Sequence, residues 1–579
     1  MSSSKFPRIA VIADAHFHDL YGDYDFEGVE VDGGRMVARR LTDTLRSTRV
    51  FNESYYALRG ALDDVVARDI KLVVLLGDYS DDGQISTLSA LKQLLDRYSC
   101  DHGLVFIGTT GNHDIVGPSG RHHAKRFLNA DGTYTTVASD SEFVDEDAEA
   151  MVFTDKMYCL GYPEGLGVLP DLGFFSRTDA IYWETPFGTN SEAESRLYTV
   201  CSADGLNEYQ LMDASYLVEP VPNLWLLMID ANVFEPRNGD VPRDSSAAFI
   251  DSTNAGWNAM LVHKPFILEW MKDVSARAKL EGKTLLTFSH YPMIDMMDGT
   301  TTDEQALLGN TSSVARTPSV NVAAAVIKAG ISVHFSGHLH VNDTASTTND
   351  DGTLTNIGVP SLVAFPPAFK ILTIENERLD VATISLDYLP IDAEINRQYR
   401  TEIAVTKKHV GSMLDARNYG EFLSGHVDQL LVHRYLKREW PANLVQAVKL
   451  LNLGDLFRLA RSEKTLTIED VVLTTKTEHA NAMNANLEAL DSISALDLLG
   501  DWYRLRMGSE MAMDWISPDR LAMYRLLIDA YAVAPASGAG EARQIFATIF
   551  RMMASYMAGL PSRNFTVSLE TGKLTGQQN

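Results

Sequence analysis

RIAVIADAH, residues 8–16, is a short apolar run that stops on an acid, a small residue and a histidine. Such a run, bounded by polar residues, reads as a strand buried on both faces, as found in the middle of a covered sheet. Asp14 and His16 stand two apart at its end, so both side chains face the same way and can converge on one ion. The pattern recurs in IKLVVLLGD (70–78), GLVFIGTTGNHD (103–114), NLWLLMID (223–230), TLLTFSHYP (284–292) and SVHFSGHLH (332–340). Helical patterns at 52–68, 266–280 and 320–329 fall between these runs, and β-rich stretches at 354–364 and 368–386 follow. Strands alternating with helices predict an α/β architecture with buried sheets.

Five of these strands end in residues that bind metals: Asp14 and His16; Asp78 after Gly77; Asn112, His113 and Asp114 after Gly111; His290; His338 and His340. In open α/β sheets ligands bind outside the carboxyl ends of the strands, where all of these fall. A lone His290 is more often a satisfied core histidine than a ligand. Five such endings in one chain are a far more specific signal. Two aspartates, one asparagine and four histidines offer mixed nitrogen and oxygen donors without thiolate. That set suits Mn, Fe or Zn better than Mg or Ca. Seven ligands exceed what one transition ion takes, whereas two ions sharing a carboxylate use them fully.

The 579 residues carry 50 basic and 77 acidic side chains, a net charge of −27, with 45% hydrophobic and 22% charged residues. That is the composition of an ordinary globular protein. The acidic excess disfavours stable binding to nucleic acid. No apolar stretch is long enough to span a bilayer, so no membrane association is expected. Cys100, Cys159 and Cys201 show no disulfide spacing. The expected location is cytoplasmic, or periplasmic if a leader precedes this sequence.

Three segments depart from the alternating pattern. Residues 115–222 mix Gly, Pro, Asp and Ser clusters with scattered aromatics and read as an ordered, cap-like insertion within a catalytic unit of residues 1–390. Residues 391–560 show three- and four-residue apolar spacing and read as a helical C-terminal domain. Its methionines, Met507 to Met557, suit core filling or a contact between subunits of a homo-oligomer. Residues 561–579 read as a polar tail with a short hairpin near Thr571–Gly572.

The ordered series DAH, GD, GNHD, H and GHLH resembles the calcineurin-like metallophosphoesterases over about residues 8–390. The resemblance implies a four-layer α/β/β/α sandwich with a dinuclear centre. It implies that Asp14, His16 and His340 hold one metal, that Asn112, His290 and His338 hold the other, and that Asp78 bridges them. It further implies that His113 faces the substrate while Asp114 fixes its ring. Two such cations bind the ester oxygens and acidify a bridging water, whose hydroxide attacks in line. His113 then serves as proton donor or transition-state stabiliser.

The second block, GDYSDDG (77–83), has Asp81 where purple acid phosphatases carry a metal-bound tyrosine. It is similar instead to the GDLTNDG-type loops of bacterial phosphodiesterases. The expected reaction is hydrolysis of a small phosphodiester, a cyclic nucleotide or a glycerophosphodiester. The alternatives are a phosphomonoesterase or nucleotidase with the same centre, and a non-catalytic scaffold on this fold. A scaffold has no reason to retain seven convergent ligands. His18, Arg49 and Asn52 are further candidates for substrate contact. His18 could equally be a surface residue, and Arg49 and Asn52 could cap and pack the following helix. His122 and His123 read as surface residues.

Overall fold

The computed structural model describes residues 6–242, 245, 247–478, 488–533 and 540–575. Two sheets dominate it. The first runs Asn564–Ser568, Arg378–Ser385, Ala368–Glu375, Ile9–Ile12, Leu72–Leu76 and Val105–Thr109, with the last three strands parallel. The second runs Thr344–Asn349, Gly352–Gly358, Val333–Ser336, Thr284–Ser289, Leu224–Ile229, Tyr216–Val221 and Tyr182–Glu184, with four parallel strands at its centre.

The alternation of side chains along a strand explains the layering. In Leu224–Ile229, Leu224, Leu226 and Met228 join the large core shared with the first sheet. Trp225, Leu227 and Ile229 face the other way, into a second core beneath the helices Pro265–Glu281 and Val320–Lys328. On the first sheet, helices Ser54–Ala67 and Ile85–His102 bury Leu58, Leu62, Leu91 and Leu95. The order is helices, sheet, sheet, helices. The sheets also meet through polar contacts near the ends of their strands, where Thr109 Oγ1 donates to the Ile229 carbonyl at 2.9 Å.

The stretch 115–222 is less separate than its composition suggests. It forms a three-stranded sheet (Ala124–Leu128, Tyr134–Ala138, Ala150–Phe153) and a hairpin (Leu197–Cys201, Glu208–Met212). Its strands Tyr182–Glu184 and Tyr216–Val221, however, complete the second sheet. Phe174 and Trp183 accordingly lie in the main core.

Beyond residue 391 the chain is helical, and it packs against the sheets through one continuous apolar cluster reaching from Ile9 to Trp502 and Phe550. Met552 and Met553 are buried in it. Polar ties reinforce the packing: His426 Nε2 meets the Thr44 carbonyl at 2.9 Å, and Asn342, two residues past His340, donates to the Met507 carbonyl at 2.8 Å. Residues 564–568, within the stretch read as a polar tail, form the edge strand of the first sheet beside Arg378–Ser385. Phe565 and Val567 supply its buried face. Among the described residues no helix is long and apolar enough to cross a membrane.

If that last strand is integral, Phe565→Ala lowers the urea midpoint by the equivalent of about 3–5 kcal/mol, the usual cost of emptying a buried aromatic site. A midpoint unchanged within error would mean the strand is dispensable.

Candidate metal centre

The five strand ends come together at one edge of the two sheets, and the backbone there is unusual. Asp14, His16, Asp78, His338 and His340 all have φ between 41° and 68°. L-residues rarely adopt this left-handed region, and clusters of such residues mark sites where function constrains the chain. Glycines make the approach possible. A Cβ on Gly111 would collide with Asp78 Oδ1, and one on Gly337 with Asp14 Oδ2. The glycines of the GN and GH blocks are therefore spacers that let carboxylates sit against neighbouring backbone.

Asp78 Oδ2 lies 3.2 Å from His290 Nε2 and 3.7 Å from His16 Nε2, between the two halves of the cluster. Its Oδ1 accepts the His113 backbone N–H at 2.7 Å. On one side Asp14 Oδ1 is 3.3 Å from His340 Nε2, which faces His16 Nε2 at 3.1 Å. On the other, Asp78, His290 and His338 group together. The outer atoms are already fixed. His290 Nδ1 donates to the Leu76 carbonyl, and His338 Nε2 to the Thr253 carbonyl, both at 2.9 Å. Those bonds fix the ring orientations and leave the other ring nitrogen as the one available to a cation.

Burial lowers the pKa of His16 and His338, and the nearby guanidiniums of Arg49 and Arg316 lower them further. Burial also pulls His290 down, but Asp78 and Asp14 outweigh it and push its pKa up to about 9. Burial disfavours the charged Asp78, yet His290 and His113 hold it well below the usual carboxylate range.

The donors fit a pair of cations. His16 Nδ1, His340 Nδ1, His290 Nε2 and Asn112 Oδ1 are buried without a hydrogen-bond partner. Buried polar atoms are normally paired, and His290 Nε2, unpartnered and 3.2 Å from Asp78 Oδ2, is a donor that a cation would satisfy. Asn112 Nδ2 meanwhile donates to Thr253 Oγ1 at 3.3 Å, which leaves the amide oxygen as the donor available to a cation.

His113 borders the cluster, its ring edge-on to His16 with centroids 4.9 Å apart. Asp114, expected to fix that ring, does not touch it. Asp114 instead accepts from Ser80 N–H and Oγ–H and from Gly111 N–H, so it ties the GD and GN loops together. Burial, followed by the Asp78 charge, pushes its pKa up to about 8. The ring partner is Asp82, paired with His113 Nδ1. Asp82 is flanked by Lys125 at 3.2 Å and His123 at 3.4 Å. Its neighbour Asp81 is fully buried between Arg39 (2.8 Å), Arg49 (2.8 Å) and Lys125 (2.6 Å). That carboxylate is committed to three cations and has no part in the cluster.

Of the further candidates, Arg49 reaches the site. Its Nη1 lies 3.3 Å from His113 Nε2. His18 and Asn52 do not. His18 is buried against Phe127 with Nε2 on the Val37 carbonyl at 2.8 Å, and burial lowers its pKa to about 3. Asn52 spends its amide on the Arg39 backbone and on Tyr399. His123, read as a surface residue, lies beside Asp82, whereas His122 is exposed. A cleft of about 1120 Å³ opens beside this corner, with Arg121, His123, Tyr158, Phe234 and Phe249 among its walls.

The sequence model of the calcineurin-like phosphoesterases matches residues 7–342. A search of curated proteins finds no match. Among solved structures, a dimetal phosphatase from Danio rerio is 14% identical, with 66% of this chain and 96% of that chain covered at a TM-score of 0.28. The matched residues span more than half of the chain and include all seven clustered side chains, so the chain belongs to the calcineurin-like phosphoesterase family.

Proposed function

We propose that the protein hydrolyses a small phosphodiester, such as a cyclic nucleotide or a glycerophosphodiester, with two ions of Mn, Fe or Zn held by the seven side chains. The observation that carries this reading is the gathering of Asp14, His16 and His340, and of Asp78, His290 and His338, into two adjoining sets of metal-binding side chains beside His113. Asp14, His16 and His340 would hold one ion, Asn112, His290 and His338 the other, and Asp78 both. Ions bound there supply Lewis acidity toward the ester and lower the pKa of water.

The remaining steps belong to the chain. Asp82 engages Nδ1 of His113, which orients the ring and leaves Nε2 as the atom that delivers a proton or hydrogen bond to the leaving oxygen. Asp82 is itself kept ionised: burial opposes its charge, but Lys125 and His113 hold its pKa well below the usual range. Arg49, its charge balanced by Asp81 and Asp82, is held with Nη1 beside His113 Nε2, where its N–H would donate to a phosphoryl oxygen. The GDYSDDG loop supports the likeness to the bacterial phosphodiesterase branch, and the 1120 Å³ cleft is ample for a small ester.

Metal analysis combined with turnover of bis(p-nitrophenyl) phosphate and p-nitrophenyl phosphate tests the reading. A diesterase prefers the first substrate, a monoesterase the second, and a scaffold shows neither metal nor turnover.

Two substitutions divide the roles. Asp78→Ala is expected to lose activity together with most of the bound metal, because one carboxylate serves both halves of the site. His113→Ala is expected to keep its metal and turn over about 10²–10⁴-fold more slowly, the usual worth of a general acid. Asp82→Asn should keep its metal and fall between wild type and His113→Ala. Full activity of the Asp82 variant on a poor leaving group would remove Asp82 from the mechanism.

A further inference from the structure

A second, smaller pocket of about 60 Å³ lies against the metal-site histidines on the side facing the helical region. His338 and His340 line it from the sheets; Arg316, Arg434, Glu439 and Arg506 line it opposite. One water needs roughly 10–15 Å³ of such space, so the pocket accepts a group of about four or five heavy atoms.

Its charge is unbalanced. Arg506 is ion-paired with Glu304 at 3.0 Å, although its Nε is buried without a partner. Among the described residues, neither Arg316 nor Arg434 has a carboxylate within ion-pairing distance. Arg316 Nε donates to Asn254 Oδ1 at 3.3 Å, and Arg434 Nη1 to the Arg46 carbonyl at 3.1 Å. Arg434 Nε is buried without any partner. The two guanidiniums also act on each other: burial, and then the charge of Arg434, lowers the pKa of Arg316. Glu439 lines the same pocket; burial raises its pKa, while the charges of Arg506 and Arg434 act in the opposite direction.

A protein with 77 acidic side chains thus brings two arginines together with no ion pair to either among the described residues. Crowding unpaired cations in a half-buried pocket is costly unless an anion joins them. The planar fork of arginine matches phosphoryl oxygens. Arg434 also sits in a π-helical turn, Leu431–Tyr435, and such turns recur at functional sites because they re-aim a side chain.

We propose that Arg316 and Arg434 bind a second phosphoryl group of the substrate, set apart from the scissile ester. The helical region thereby takes part in substrate selection through Arg434. Assigning that phosphoryl to a substrate rests on the hydrolase function above; its capture by the two guanidiniums does not.

The test uses the full chain as isolated, with metal content matched across variants. Binding of inorganic pyrophosphate is measured by calorimetry for wild type, Arg316→Gln, Arg434→Gln, Arg434→Lys and Lys437→Gln, an exposed cation nearby. Each glutamine variant in the pocket is expected to weaken binding by about tenfold or more. Arg434→Lys should retain part of the affinity, and Lys437→Gln all of it. Wild-type affinity in both pocket variants, or an equal loss in Lys437→Gln, overturns the proposal. On the catalytic side, Arg434→Gln should raise KM for a diester bearing a terminal phosphate far more than KM for bis(p-nitrophenyl) phosphate. Equal rises would remove the substrate from the proposal. Intact pyrophosphate selectivity with no hydrolysis of any ester would instead sink the hydrolase reading and leave the anion site standing.

Discussion

Two buried carboxylates and four nearly buried imidazoles share one small volume with no complement of protein partners, and the surrounding structure has to accommodate that. Removing such groups from water is unfavourable unless other groups or ions replace the lost hydration. Asp78 shows the tension most clearly. It is 2% exposed, touches imidazoles on both sides, and spends its second oxygen on the His113 backbone. Everything else at this edge of the sheets serves to hold donors in place before an ion arrives. The ring orientations of His290 and His338 are fixed by backbone carbonyls, and Asp14 is held by the His338 N–H. Because the donors are organised beforehand, the cost of ordering them is met during folding rather than at binding.

The same constraint accounts for the backbone. Parallel strands in both sheets deliver their carboxyl ends to one edge, which brings residues 14 and 338 within hydrogen-bond distance. The strand direction alone would carry these side chains past one another. Left-handed φ values at five of the ligand positions turn them inward, and the adjacent glycines remove the Cβ atoms that would block the turn. Strain of this kind persists only where neighbouring structure over-determines it. Here the two sheets, locked together by bonds such as Thr109 to Ile229, provide that support.

How much of this is legible in the sequence depends on the range of the signal. The buried strands at 9–12, 72–76 and 284–289 announce themselves as short apolar runs, and the ligand types at their ends follow at once. That information is local. The partner of His113 is not local: Asp82 comes from another loop, and only the packing of that loop shows that Asp82 rather than Asp114 meets the ring. Likewise nothing in the period of residues 46–56 separates Arg49, which enters the site, from Asn52, which ties the backbone at Arg39 to Tyr399. The last strand is missed for a different reason. Asn564–Ser568 is short and has a buried face of only a few residues, so its polar flanks dominate the reading.

Net charge and local charge act over different distances, which reconciles a strongly acidic chain with a site for anions. At physiological salt, exposed charges are screened beyond about 8 Å, so the overall −27 shapes approach to the surface more than it shapes the pocket. Inside, Arg39, Arg49 and Lys125 are bound to Asp81 and Asp82, and this network leaves Arg49 fixed beside His113 with its charge largely spoken for. Arg316 and Arg434 have no ion pair among the described residues, and they line a pocket shared with His338 and His340. Two kinds of arginine therefore lie near the metal-site histidines: Arg49, ion-paired with Asp81 and Asp82, and Arg316 and Arg434, without an ion pair among the described residues.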